Sequence, residues 1–176
     1  MLNWLRSRSL SAQTAAGLYG SIVAQARNTA FYATAGVPDT MEGRFGMIGV
    51  HMFLTLERIR HQGTAEKGLG RALIEAFVTD MDDSMREIGI GDMGVPRRVK
   101  KAAAALHEHL DSYRAARSSG DADALEHALR RYVYLDTGAG APQRLASYIR
   151  AAGADLDKQS WAAIARGRIS FPTFGT

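Results

Sequence analysis

The chain contains no cysteine among its 176 residues. Disulfides, thiolate metal sites, iron–sulfur clusters and cysteine nucleophiles are therefore excluded, and the composition suits a reducing compartment. Long apolar runs are also missing: Arg44, His51, Glu57 and Arg58 interrupt the most apolar segment before it reaches the roughly 18 residues of a membrane span. We expect a soluble or membrane-peripheral protein.

Acidic residues are scarce at the beginning of the chain, where none precedes Asp39. The net charge of +4 and the isoelectric point near 9.6 favour contact with anionic surfaces such as phospholipid or ribosomal RNA. Residues 1–10 suit either a flexible terminus or a short helix lying on a membrane surface. The sequence has no module of interleaved aromatic and basic residues, so we predict no DNA partner.

Helical periodicity occurs in six segments and no strand pattern competes with it. These segments are 11–35, 44–61, 64–88, 96–117, 121–136 and 141–166. We expect Asp121 to cap the fifth segment and Pro142 to lie in the first turn of the sixth. The sequence predicts an all-α fold, a compact single-domain bundle of about six helices over 11–167. A flexible or surface-associated terminus at 1–10 precedes it, and an extended tail at 168–176 follows.

The second segment, RFGMIGVHMFLTLERIR, is apolar on two faces. One stripe contains Phe45, Ile48, Met52, Leu56 and Ile59, and the other contains Met47, Val50 and Leu54. Such a helix is either the centre of the bundle or leaves one face to a partner. Methionines are frequent here and in the next segment, and their flexible thioethers suit both irregular cores and surfaces that accept varied apolar helices.

Residues 77–101, FVTDMDDSMREIGIGDMGVPRRVKK, place an acidic and a basic cluster on either side of a glycine-rich turn. The acidic face comprises Asp80, Asp83 and Glu87, and the basic cluster comprises Arg97, Arg98, Lys100 and Lys101. Each cluster lies at the helix end where the macrodipole disfavours its charge. We predict that the Asp83–Glu87 pair neutralises the Arg97–Arg98 pair across the turn. The two lysines are then left for an anionic partner.

No group of residues in the sequence has the spacing of a catalytic or metal site. GIGDMG matches a dinucleotide fingerprint but follows a helix rather than a strand, so it is interpreted as a turn. His107 and His109 point to opposite sides of one helix, and His51 is interpreted as a satisfied core residue. We predict a non-enzymatic protein without catalytic residues, metal or cofactor. The alternative is a metal-, quinone- or lipid-binding helical protein that uses the acidic face or an enclosed apolar cavity.

GRFGMIGVHMFLTLERIR, followed by FVTDMDDSMREIGIGDMGVPRRVKKAAAALHEHLDSY, resembles the ubiquinol–cytochrome c chaperone family over roughly residues 40–135. The matching positions are Asp80, Met81, Asp82, Arg86, Glu87, Gly89, Gly91, Asp92, Val95, Val99 and Lys100. The resemblance implies an all-helical chaperone for assembly of respiratory complex III that binds newly made cytochrome b. The long N-terminal extension of mitochondrial members is missing. We therefore expect a bacterial protein in the cytoplasm at the inner-membrane periphery, with the mitochondrial matrix as the alternative.

The resemblance and the apolar stripes together predict a client-binding site. Its apolar face consists of Phe45, Met47, Met52, Phe53, Met81 and Met85. The polar residues of the family motif assigned to the site are His51, Asp80, Asp82, Arg86, Glu87, Asp92 and Lys100. The expected client is unassembled cytochrome b. A ribosome, a small second chaperone subunit and an anionic membrane surface are further candidate partners.

Overall fold

The computed structural model describes residues 2–63, 67–87, 94–121 and 123–175, without the side chains of residues 2–9 and 67. Within these ranges the helices are α1 (Leu2–Ala26), α2 (Thr29–Ala33), α3 (Met41–Arg60), α4 (Lys67–Glu87), α5 (Val95–Ser118), α6 (Ala124–Tyr132), α7 (Pro142–Lys158) and α8 (Trp161–Ile164). No strand occurs among the described residues, and the predicted all-α fold is confirmed. None of the described helices combines the length and apolar character needed to cross a bilayer.

α3 is the central helix of the bundle. Thirteen of its 20 residues are buried, and it contacts α1, α4, α5 and α7. The helix begins where the Thr40 side chain accepts a hydrogen bond from the backbone N–H of Gly43. Of the two alternatives for this apolar segment, the structure therefore supports the one in which it lies at the centre.

Two glycines on α3 allow α5 and α6 to approach its backbone closely. A Cβ atom on Gly46 would lie 2.6 Å from the carbonyl oxygen of Tyr132, and one on Gly49 would lie 3.2 Å from Nδ1 of His109. Because glycine has no side chain, the neighbouring helices can come this close without a steric clash. Substituting Gly46 would consequently push α6 away from the core.

The first predicted helix is longer and more broken than expected. α1 begins at Leu2, so the backbone of residues 2–10 belongs to the same helix as the predicted first segment. The predicted 11–35 segment breaks at Asn28, whose backbone is extended and whose side chain accepts a hydrogen bond from the N–H of Ala30. An asparagine that caps a following helix is what ends the continuous pattern.

The last predicted helix is interrupted at Gln159. There the backbone turns extended, with φ −70° and ψ 140°, and separates α7 from α8. The guanidinium of Arg58 satisfies the α7 terminus by donating to the carbonyls of Leu156 and Gln159 at 2.9 and 3.1 Å. A cation from a distant helix thus stabilises the break between α7 and α8. The local sequence pattern does not predict this break.

The fifth predicted segment, 121–136, corresponds to α6, which is shorter than predicted. It ends at Tyr132, and the positive φ angles of Leu135 and Asp136 (55° and 52°) prevent its continuation. Asp121 was wrongly predicted as its N-cap, because the residue at that position is Asp123; the Asp121 carboxylate instead accepts a bond from the Asp123 N–H. Pro142 lies in the first turn of α7, as predicted.

The C-terminal tail packs against the bundle, and its described residues, up to 175, contain no helix or strand after α8. The ring of Phe171 lies 4.9 Å from that of His51, and the ring of Phe174 lies 5.0 Å from that of Phe31. The Gln25 amide donates to the carbonyl of Pro172 at 3.0 Å. The tail therefore closes one side of the core through aromatic contacts.

Candidate functional site

α4 is covered less completely after Phe77, although Val78 and Met81 still pack against the core. Leu69, Leu73 and Phe77 are buried, but no residue from Val78 to Glu87 is. The apolar positions of this stretch, which include Met81 and Met85, are half-buried. The last ten residues of α4 therefore carry an apolar stripe that the bundle covers only in part.

The beginning of α3 lies beside this end of α4. The rings of Phe45 and Phe77 are 5.8 Å apart, while Gly70, near the start of α4, faces Leu56 near the end of α3. The two helices are therefore antiparallel.

One turn before Phe45, the α3 residue Met41 is 68% exposed. We call the set Met41, Phe45, Met81 and Met85 the methionine strip. Sequence reasoning omitted Met41 from the site, although its spacing of four residues from Phe45 placed both on one helix face.

Three residues predicted for the client-binding face lie in the core instead. Met47 and Met52 are 0% exposed and Phe53 is 3% exposed. They are inaccessible because α3 is surrounded by other helices, and both of its apolar stripes are used for packing. This burial corrects the expectation that all six residues form one accessible face.

The acidic residues of α4 have different local roles. Asp80 accepts a 2.8 Å hydrogen bond from the Tyr19 hydroxyl of α1. Burial of Tyr19, together with this bond, raises the pKa of its hydroxyl well above the usual value. Asp82 forms an ion pair with Arg86 on the same helix at 2.8 Å. Asp80 thus joins α1 to α4, and Asp82 stabilises α4 itself.

The acidic face does not assemble a metal site in the part of the chain that the structure describes. Asp83 and Glu87 are exposed, and no group of three histidine or carboxylate side chains in the described ranges is arranged to hold an ion. Asp92, which sequence analysis assigned to the site, lies outside the described residues. The carboxylates of α4 therefore provide surface charge and helix contacts.

The basic cluster at the start of α5 faces solvent. Arg97, Arg98 and Lys100 are exposed, as is Lys101. None of these cations forms an ion pair with Asp83 or Glu87, although all of them are described. Among the described residues the predicted contact between the clusters does not form: Asp83, Glu87 and the basic cluster are exposed, and Asp82 pairs with Arg86 within α4.

His51 is held in a directed chain of buried hydrogen bonds. Its Nδ1 lies 2.8 Å from the carbonyl oxygen of Met47, which can only accept, so Nδ1 carries the proton. Its Nε2 accepts from the Tyr148 hydroxyl at 2.9 Å, and that hydroxyl accepts from the Gln25 amide at 3.0 Å. Burial lowers the pKa of His51 to about 4. His51 is thus a neutral, satisfied core residue, as interpreted from the sequence.

Glu57 is a buried carboxylate to which sequence analysis assigned no role beyond interrupting the apolar segment. It is 3% exposed and accepts bonds from Arg60 at 2.7 Å and Arg114 at 3.1 Å. Burial alone would raise the pKa of Glu57, but the two guanidiniums outweigh it and hold the pKa below its usual value. The available signal was a glutamate inside the most apolar helix, a position that requires charged partners.

Two open grooves flank α3 in the described part of the fold. One, of about 400 Å³, lies between α3, α4 and α5. The other, of about 460 Å³, is lined by parts of α3, α5, α6 and α7. Neither has the closed form of the apolar cavity considered for a quinone or lipid.

Comparisons with known proteins identify the family. The family model of the ubiquinol-cytochrome C chaperones matches residues 33–172. Among solved structures, the chain is similar to the crystal structure of the Cbp3 homolog from Brucella abortus, with 36% identity over 99% of this chain and 98% of that one and a TM-score of 0.81. A comparison with curated proteins gave no match. The chain belongs to the ubiquinol-cytochrome c chaperone family.

Proposed function

We propose that this protein is a non-enzymatic assembly chaperone for respiratory complex III, ubiquinol–cytochrome c reductase. In this proposal it holds newly made cytochrome b before the cofactors and partner subunits are in place. Family membership over residues 33–172 supports the assembly role. The observation that carries the binding surface is the methionine strip, where α3 and α4 leave apolar side chains incompletely covered.

The methionine strip suits a client whose apolar helices are not yet paired. Burying apolar surface contributes roughly 25 cal/mol per Å², so covering exposed side chains stabilises both partners. Unbranched thioethers adapt their shape to different helix faces. Met41, Met81 and Met85 can therefore hold several segments of one client without a fixed pocket.

The polar residues of the family motif divide between the fold and the surface. His51, Asp80 and Asp82 contact other side chains of the chain itself, and Arg86 pairs with Asp82. We assign these four to stabilising the helices that present the strip. Glu87 and Lys100 are exposed and are the described motif residues that we assign to partner contact.

The proposed location is the bacterial cytoplasm at the periphery of the inner membrane, where a nascent membrane subunit emerges. The basic cluster supports contact with anionic phospholipid, because its four cations face solvent at one helix end. A ribosome or a small second chaperone subunit would be a further partner.

Site-specific photocrosslinking tests the client surface. A photoreactive amino acid replaces Met81 in the strip or, as a matched control, Ser147, an exposed residue of α7. We expect cytochrome b to crosslink at position 81 during its synthesis and not at position 147. Equal crosslinking at both positions, or none at position 81, would contradict the proposed surface.

A further inference from the structure

The groove between α3, α4 and α5 has an apolar lining. Leu56 and Ile59 of α3, Ile74 of α4 and Leu110 of α5 face it. Gly70 has no side chain that would fill the groove. A Cβ atom there would lie 3.7 Å from Leu56 and 4.0 Å from Ile59, which are ordinary contact distances. Three helices that flank an open apolar groove offer the packing surface that a further helix requires.

Arginines surround this lining. Arg60, Arg71 and Arg114 all line the groove. Glu57 holds Arg60 and Arg114 from within the bundle, and Asp111 pairs with Arg114 at 2.9 Å. Arg71 forms no ion pair with any described residue. Three cations therefore face two carboxylates, and the groove keeps an uncompensated positive charge.

The guanidiniums retain donors for a ligand. Each carries five N–H groups, of which the ion pairs of Arg60 use one and those of Arg114 use two. Because the buried Glu57 fixes both side chains, little additional ordering is needed when an anion binds. The site is thus prepared for a carboxylate at its edge and apolar side chains on its lining.

We infer that this groove binds an apolar helix of the client that carries one acidic side chain. The helix lies on the half-buried Leu56 and Ile74, and its carboxylate reaches the arginines. This inference rests on the proposed chaperone function and adds a second, charge-selective contact to the methionine strip. A helix suits the open groove better than a lipid does, because a small amphiphile needs a site that encloses most of its surface.

Fluorescence anisotropy with two designed peptides tests the charge selectivity. Both are water-soluble amphipathic helices of leucine and alanine, identical except for one glutamate or glutamine beside the apolar face. We expect the full-length protein to bind the glutamate peptide about tenfold more tightly, the effect of one charge-assisted hydrogen bond. Arg71→Gln should reduce that preference, because it removes the uncompensated charge, whereas Lys158→Gln, an exposed change on α7, should keep it.

A matched pair of glycine substitutions tests the location. Gly70→Leu fills the groove, while Gly68→Leu adds the same side chain two residues earlier on α4, where no atom lies within 4 Å. We expect Gly70→Leu to weaken binding of both peptides by about tenfold or more and Gly68→Leu to leave it unchanged. Circular dichroism checks that each variant is folded; should Gly70→Leu not fold, Arg71→Gln still decides the result.

Equal affinity of the wild type for the two peptides would overturn the inference. If Gly70→Leu leaves peptide binding intact, the peptide does not bind in this groove and the inference is wrong. The proposed chaperone function would not be affected by that result. Failure of both peptides to bind would also overturn the inference, while crosslinking of cytochrome b at position 81 would still support the proposed chaperone function. If Gly70→Leu instead abolishes cosedimentation with phosphatidylglycerol vesicles and leaves peptide binding unchanged, the groove is a lipid site and the inference is wrong.

Discussion

The Tyr148 hydroxyl donates a 2.9 Å hydrogen bond to Nε2 of His51 and so joins α7 to the central helix α3. The direction of this bond follows from the other side of the ring, where Nδ1 donates to the carbonyl of Met47. Gln25 of α1 donates to the same hydroxyl. One tyrosine oxygen therefore connects three helices in the core.

Replacing that hydroxyl should destabilise the fold. Tyr148→Phe leaves buried Nε2 of His51 without a donor, and we expect a loss of about 1–3 kcal/mol in the free energy of unfolding. Urea denaturation measures it. The matched control is Tyr132→Phe, because Tyr132 is half-buried and both partners of its hydroxyl, Ser112 and the exposed Glu108, can bond to water instead. The loss should be below about 1 kcal/mol. Equal effects of the two variants would contradict the role assigned to Tyr148.

Stability should decrease as the pH falls from about 6.5 to about 4. Burial lowers the pKa of His51 and of His109 to about 4, whereas the unfolded chain titrates near 6.5. In this window the unfolded state binds more protons, so stability rises with pH. At about pH 5 each histidine should have removed about 2 kcal/mol. Urea denaturation at several pH values measures the slope, which His51→Gln should reduce. A stability that does not change between about pH 7 and pH 5 would be inconsistent with both shifts.

Introducing a carboxylate should distinguish the core from the methionine strip. Met52→Asp buries an unpaired charge at a cost of several kcal/mol, comparable to the stability of a whole domain. We expect it to unfold the protein, and the same holds for Met47→Asp and Leu54→Asp. Met81→Asp lies at a half-buried position on α4 and should remain helical by circular dichroism. Unfolding of Met81→Asp as complete as that of Met52→Asp would mean that the strip is part of the core.

The basic cluster should attract anionic membranes independently of the acidic face. Each cation near a lipid surface contributes about 1 kcal/mol, so Arg98→Gln with Lys101→Gln should weaken binding to phosphatidylglycerol vesicles by about tenfold or more. Salt should weaken wild-type binding as well. Lys158→Gln, an exposed change on α7, is the control. Vesicle binding that neither salt nor the double substitution affects would rule out this contact.

Periodicity predicted most of the helices because their apolar faces are buried as the spacing requires. α3 is the clearest case: two apolar stripes mark a helix enclosed on all sides. Proline at the start of α7 and the turn residues between the segments also act on the local backbone. These features depend on residues close in sequence, so the sequence alone identifies them.

The remaining features depend on contacts between distant residues. The break after α7 is stabilised by Arg58, about a hundred residues earlier, and Glu57 is balanced by Arg114 from another helix. For the same reason sequence patterns could not show that Met47 and Phe53 are covered while Met41 is exposed. Helix faces can be assigned from spacing, but which face is covered depends on the assembled bundle.

The content of complex III in cells lacking this protein tests the proposed chaperone function most directly. Quantitative mass spectrometry and haem absorbance would measure cytochrome b and complex III in a deletion strain. We predict that both decrease while the other respiratory complexes are largely unaffected. The wild-type chain should restore them, and a variant with Met81→Asp and Met85→Asp should not. Normal levels of cytochrome b and complex III in the deletion strain would contradict the account.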